Sequence, residues 1–151
     1  MPLGGAHPGV ARVRRWLPIC QAAASEWNNI LPSSGPILAR AQCATPPAPA
    51  TGATLGSAGA VTVHANFPGA GVANTWYGQA LANSQAGVDL SAANPDINAT
   101  FNMAIDNGCF GPGLVWDYGL DGNEGVNIEL DPVVLHEIGH GLGFATLTSG
   151  S

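Results

Sequence analysis

The chain has 151 residues, enough for one modest domain, and only 9% of them are charged, against about 25% in an ordinary soluble domain. There is no lysine, the four arginines (Arg12, Arg14, Arg15, Arg40) fall in the first forty positions, and of the ten acids only Glu26 precedes Arg40. A net charge of −6 laid out this way argues against a nucleic-acid partner, whose phosphates need Lys or Arg, and against a basic membrane-facing patch. No run of eighteen apolar residues is present to span a membrane.

Residues 1–17, with Gly4, Gly5, Pro8 and Gly9, read as an irregular lead-in, and residues 18–151 as one domain. The opening "MPLGGAHPGVARVRRWLPIC" lacks the apolar core of a secretory signal. "PICQAAASEWNNIL" predicts a helix: Pro18 suits its first turn, and Ile19, Ala22 or Ala23, Trp27, Ile30 and Leu31 recur near the helical period. "GPILARAQC" predicts a strand with Ile37, Ala39 and Ala41 on one face. The Pro- and Gly-rich stretch 44–60 reads as a loop.

"AVTVHANF" alternates as a strand, with Val61, Val63 and Ala65 on one face and Thr62, His64 and Asn66 on the polar one, so His64 is expected to be a solvent-exposed histidine. "NTWYGQALANSQAG" predicts a short helix capped by Asn74 or Thr75 and closed by Gly87. "DINATFNMAID" holds an alternating strand from Ala99 to Ile105, and Asn98-Ala99-Thr100 matches a glycosylation sequon. Asp117, Asp121, Asn123, Glu124 and Glu129 invite a calcium loop. Counted from Asp117, however, position three is Gly119 and position twelve is Ile128, so an EF-hand fails. A Gly/Asn turn beside a strand is the better reading, with calcium a minor alternative.

Of the three cysteines, none forms a CxxC pair, which excludes a zinc ribbon. Cys43 and Cys109 lie in loop contexts and are disulfide candidates in an oxidising compartment. Cys20, on the predicted helix, is expected to stand apart as a small buried residue.

The last twenty residues before Ser151, "DPVVLHEIGHGLGFATLTSG", carry the chemistry. Asp131-Pro132 predicts a helix start. One turn apart, His136 and His140 project from one face, where two imidazoles can share a metal ion. Glu137 is rotated by about 100° from His136, beside that ion rather than on it. This is the HExxH arrangement of two zinc ligands and a general base that takes a proton from water. Val134, Leu135, Ile138 and Leu142 are expected to anchor the helix. Gly139 and Gly141 each cost a helix about 1 kcal/mol relative to Ala. They suggest close packing against another backbone, or space for a substrate.

A catalytic zinc ordinarily takes three protein ligands. The longer HExxHxxGxxH pattern turns at the glycine and brings a third histidine six residues after the second. Here Gly143 is in place, but the third position is Thr146 and "LTSGS" supplies no ligand. The third ligand is therefore expected beyond Ser151, and the chain is expected to be a fragment cut at both ends, with its catalytic domain incomplete at the C-terminus.

"VVLHEIGHGLGF", together with "DYGLDGNEG", "NTWYGQALAN" and "LGSAGAVTVHANFPGA", resembles a group of secreted bacterial zinc metalloproteases whose full-length members often carry a protease-associated domain. The resemblance runs from about Ala22 to Phe144. It implies an α+β, zincin-like N-terminal subdomain, in which an N-terminal helix packs on a twisted mixed sheet of about four strands and an active-site helix follows. It implies His136 and His140 as zinc ligands, Glu137 as catalytic base, peptide-bond hydrolysis as the reaction, and an extracellular setting consistent with a Cys43–Cys109 disulfide. The alternative from another class is a non-catalytic secreted binding or surface module with a degenerate zinc site.

Overall fold

A computed structural model of the chain describes residues 8–31, 33–45 and 54–145. The fold is mixed α and β. Helix α1 spans Pro8–Ile30, and strand β1 (Ala39–Ala44), β2 (Gly56–Ala60) and the two-residue β3 (Val63–His64) and β4 (Tyr77–Gly78) follow. Then come α2 (Gln79–Ala86), β5 (Ile97–Asn102), a 3₁₀ turn (Met103–Asn107), the short β6 (Trp116–Asp117) and β7 (Ile128–Glu129), and α3 (Leu130–Leu142).

The main sheet has the order β1-β5-β2, with β5 parallel to β1 and antiparallel to β2. Alternation along β5 sets its two faces. Ile97, Ala99 and Phe101 are buried, while Asn98 is exposed. The buried face meets α1 through Trp16, Ile19 and Ala23 and α3 through Val134 and Ile138, and Trp16 packs on Phe101 with ring centroids 6.4 Å apart. The opposite face is polar and open, with Arg40, Gln42 and Ser57 exposed and Gln42 Nε2 donating to Thr100 Oγ1 at 3.0 Å. One covered and one wet face is a usual arrangement for a sheet with antiparallel pairing.

A buried carboxylate knots the far end of the sheet. Asp96 Oδ2 accepts from the Leu38 amide (2.7 Å), while Oδ1 accepts from Gln79 Nε2 (2.9 Å) and Asn83 Nδ2 (2.7 Å). Its carbonyl accepts from the Val61 amide at 3.0 Å. The entry to β1, the β2–β3 link, α2 and β5 are thereby tied at one residue. Among the described residues no helix is long and apolar enough to cross a membrane.

Several sequence expectations are corrected. The helix begins at Pro8 rather than Pro18, so residues 8–17 are not irregular and Pro18 sits inside the helix. The inner stripe already includes Trp16, one turn before Ile19 and Cys20, and its burial outweighs the backbone bond that Pro18 forgoes. The loop assigned to 44–60 ends in a strand, β2. The strand assigned to 60–67 shrinks to Val63–His64, and there the expected faces are exchanged: Val63 is 54% exposed, while His64, like Thr62 before it, is half-buried. The Thr62 hydroxyl bonds Gln79 Oε1 and lies 3.3 Å from His64 Nε2, which turns this edge inward.

Helix α2 starts at Gln79, not after Asn74 or Thr75. Asn74 instead takes a positive φ of 58° and its amide donates to Asn66 Oδ1, while Tyr77–Gly78 pairs with β3. Gly87 closes α2 in the left-handed region as expected. The strand placed at Ala99–Ile105 runs from Ile97 to Asn102, where the Asn102 side chain accepts from the Ala104 amide and starts the 3₁₀ turn. Among the described residues the main sheet has three strands rather than about four, with two separate two-residue pairs.

Candidate metal centre

Helix α3 begins one residue before the predicted Asp131-Pro132 start, with Glu129 preceding it and no side-chain cap. Asp131 lies inside the first turn with Oδ1 buried and unbonded among the described residues. Burial and then the nearby Glu26 raise its carboxyl above the ordinary 3.8. Val134 and Ile138 are buried and Leu135 and Leu142 partly so, as expected of the anchoring face.

The two glycines of the motif face side chains, not another backbone or open space. A methyl group on Gly139 would sit 3.2 Å from Trp27 Cζ2. One on Gly141 would collide with Ile97, meeting Cγ2 and lying 2.8 Å from both Cδ1 and Cγ1. The helix gives up intrinsic propensity to let α1 and β5 approach its backbone.

On the other face the two imidazoles converge. His136 Nε2 lies 2.9 Å from His140 Nε2, with ring centroids 4.5 Å apart. His140 Nδ1 lies 2.7 Å from the Phe144 carbonyl. A carbonyl can only accept, so Nδ1 carries a proton, and in the neutral ring Nε2 is then left with the lone pair. Phe144 reaches this position because Gly143, at φ +112°, closes the helix in the left-handed region and the Phe144 amide donates back to the Gly139 carbonyl at 3.0 Å. The turn at Gly143 is where the sequence placed it. Thr146, at the expected third-ligand position, is outside the described residues.

Glu137 is 7% exposed. With His136 it lines a cleft of about 380 Å³ walled by Leu55, Gly56, Pro132 and Val133. A methyl group on Gly56 would stand 3.1 Å from Glu137 Cγ and from Phe101 Cδ1, so β2 comes this near only because glycine is there. No hydrogen bond from a described residue reaches the Glu137 carboxylate, which opens on the cleft.

The ring pair fits a shared cation. Two bonds of about 2.0–2.1 Å reach across 2.9 Å, and a carbonyl on the remote nitrogen is the usual outer partner of a ligating histidine. Among the described residues no group of three or more His, Cys, Asp or Glu is arranged to hold a metal. His64 lies with Thr62, away from the pair.

The acidic loop has its own local order. Asp117 and Asp121 both crowd Gly119, and the Asn123 amide donates to Asp121 Oδ1 at 3.3 Å. Burial, followed by Glu124, Asp131, Asp117 and Asp121, raises the Glu129 carboxyl.

Among the described residues no disulfide is formed, so Cys43 and Cys109, both exposed, are not joined. Cys20 is partly buried, and burial and then Cys43 push its thiol from 9.0 up to about 12. Beta pairing explains the influence of Cys43. Cys43 is in register with Phe101, whose ring meets Trp16, one helical turn from Cys20.

Three contributors escaped the sequence reading: the Phe144 carbonyl, Gly56, and Trp27 as a neighbour of the motif. Gly139, an unexplained glycine inside a helix, was the available signal for the last. No family model matches the chain, and neither a curated protein nor a solved structure matches it.

Proposed function

We propose that this chain carries the ligand pair and general base of a secreted zinc-dependent endopeptidase, in a zincin-like arrangement. The observation that carries the reading is the 2.9 Å approach of His136 Nε2 and His140 Nε2 beside a Glu137 that no described side chain engages. His136 and His140 would hold zinc, and a further ligand would come from outside the described residues. When bound, zinc supplies Lewis acidity for polarising a scissile carbonyl.

The chain's own residues do the rest. Phe144 O holds His140 in the tautomer that leaves Nε2 available. Glu137 accepts a proton from the attacking water and returns it to the departing amine. Leu55, Pro132 and Val133 give the open cleft its apolar walls beside the carboxylate.

The rival, a non-catalytic module with a degenerate zinc site, is favoured by one observation: only two convergent ligands exist among the described residues. Zinc competition titration and peptide cleavage, on this chain and on a product extended by its downstream sequence, separate the two. The proteolytic reading expects weak zinc binding and poor cleavage by the 151-residue chain, with chelator-sensitive cleavage restored on extension. Tight zinc binding without cleavage by the extended product supports the rival.

A further inference from the structure

Trp27 stands on α1, 108 residues before Leu135 in sequence, yet touches the motif helix at two points and the residue after its closing turn at a third. Its Nε1–H donates to the Leu135 carbonyl at 2.9 Å. Its six-membered ring fills the space opposite Gly139. Its ring system stacks on Phe144 with centroids 5.6 Å apart and planes at 28°. Phe144 in turn donates its amide to Gly139 O and accepts the His140 Nδ1 proton. The three contacts bracket the Gly143 turn that brings the Phe144 carbonyl over His140.

We propose that Trp27 is a positioning residue for His140: by clamping Phe144 against the Gly139 side of α3 it fixes the carbonyl that sets the tautomer and ring direction of His140. The proposal rests on the reading of His136 and His140 as a ligand pair only for its consequence on metal affinity; the tautomer itself is a property of the metal-free chain. Phe144 is 60% exposed, and on this structure Trp27 is what its ring stacks against.

The test is nitrogen-15 NMR of the histidine side chains in the metal-free 151-residue chain at about pH 8, where an ordinary imidazole is neutral, paired with zinc competition titration. The wild type should show His140 protonated at Nδ1. Trp27→Ala and Phe144→Ala should both give mixed tautomers and bind zinc about 10–100-fold more weakly, the usual cost of losing an outer partner. Trp27→Phe keeps the stack and loses only the N–H donor, so it should keep the tautomer and stay within about threefold of the wild-type affinity. Ile105→Ala, a core truncation in the 3₁₀ turn, controls for destabilisation and should lower Tm without mixing the tautomers.

An unchanged tautomer in Trp27→Ala overturns the inference, as does equal mixing in Ile105→Ala. If Trp27→Ala does not fold, Phe144→Ala decides alone, because it truncates an exposed side chain. Mixed tautomers in the variants of a chain that binds no zinc support the Trp27 role while removing the ligand reading. Unchanged tautomers in a zinc-binding chain do the reverse.

Discussion

Two buried carboxylates sit at different ends of this molecule, and they are treated in opposite ways. Asp96 is 3% exposed and every side of it is engaged: three N–H donors at 2.7–2.9 Å reach its two oxygens. Glu137 is 7% exposed and receives no donor from a described residue. Burying a carboxylate is costly unless hydrogen bonds replace its water. Asp96 recovers that cost in tying four segments together. Glu137 has no such donors, and its carboxylate opens instead on the cleft that it lines with His136. The contrast is between a carboxylate locked into the fold and one left open to whatever enters the cleft.

The largest effect expected from breaking this contrast is at Glu137. On the proposed reading, Glu137→Gln should lower peptide turnover by about 10²–10⁴, the usual worth of a general base. It should leave zinc affinity and urea stability nearly unchanged, as measured by cleavage assay, competition titration and denaturation. Asp96→Ala should do the converse. Stranding the Leu38 amide and the Gln79 and Asn83 side chains should cost about 3 kcal/mol or more in urea unfolding, at about 1–3 kcal/mol per buried orphan.

Next is Gly141→Ala, whose methyl collides with Ile97. It should destabilise by about 1–3 kcal/mol through overpacking, and Gly141→Ala with Ile97→Ala together should be less destabilised than the two single changes added, because each relieves the other. Smallest near neutral pH is the effect of Cys20. Its thiol is raised from 9.0 to about 12 by burial and Cys43, so the folded chain holds a proton that the unfolded chain releases. Stability should therefore fall as pH rises from 9.0 toward about 12 and be flat in this respect below. Iodoacetamide at mild alkaline pH should alkylate exposed Cys109 well before Cys20, as read by mass spectrometry of timed aliquots.

The sequence disclosed the parts of this site whose logic is local. His136 and His140 converge because four residues make a turn of helix, and Gly143 turns the chain because only a residue at ease at φ +112° can stand there. Gly87 was legible for the same reason. What escaped was long-range or built from small side chains. β2 is "GSAGA", with no β-branched residue and no polar–apolar alternation. Its identity as a strand comes from pairing with β5 and from Gly56 making room for Glu137. The start of α1 was missed because Pro18 imitates a first helical residue while Trp16 continues the stripe behind it. The Trp27 clamp joins residues more than a hundred positions apart, beyond any periodicity.

The central strand sets the order in which this chain can become a sheet. β5 pairs on one side with β1, 58 positions earlier at Gln42 and Thr100, and on the other with β2. Neither neighbour is joined to it by a hairpin, so no two strands of the main sheet can meet through a short turn. During synthesis β1 and β2 leave the ribosome with no partner until residue 97 follows them. Both pairings must close long loops, a topology that folds slowly and leaves strand edges open meanwhile. A chain so arranged gathers its sheet late. The cleft beside β2 is later still, because Pro132, Val133, His136 and Glu137 of α3 supply its other wall.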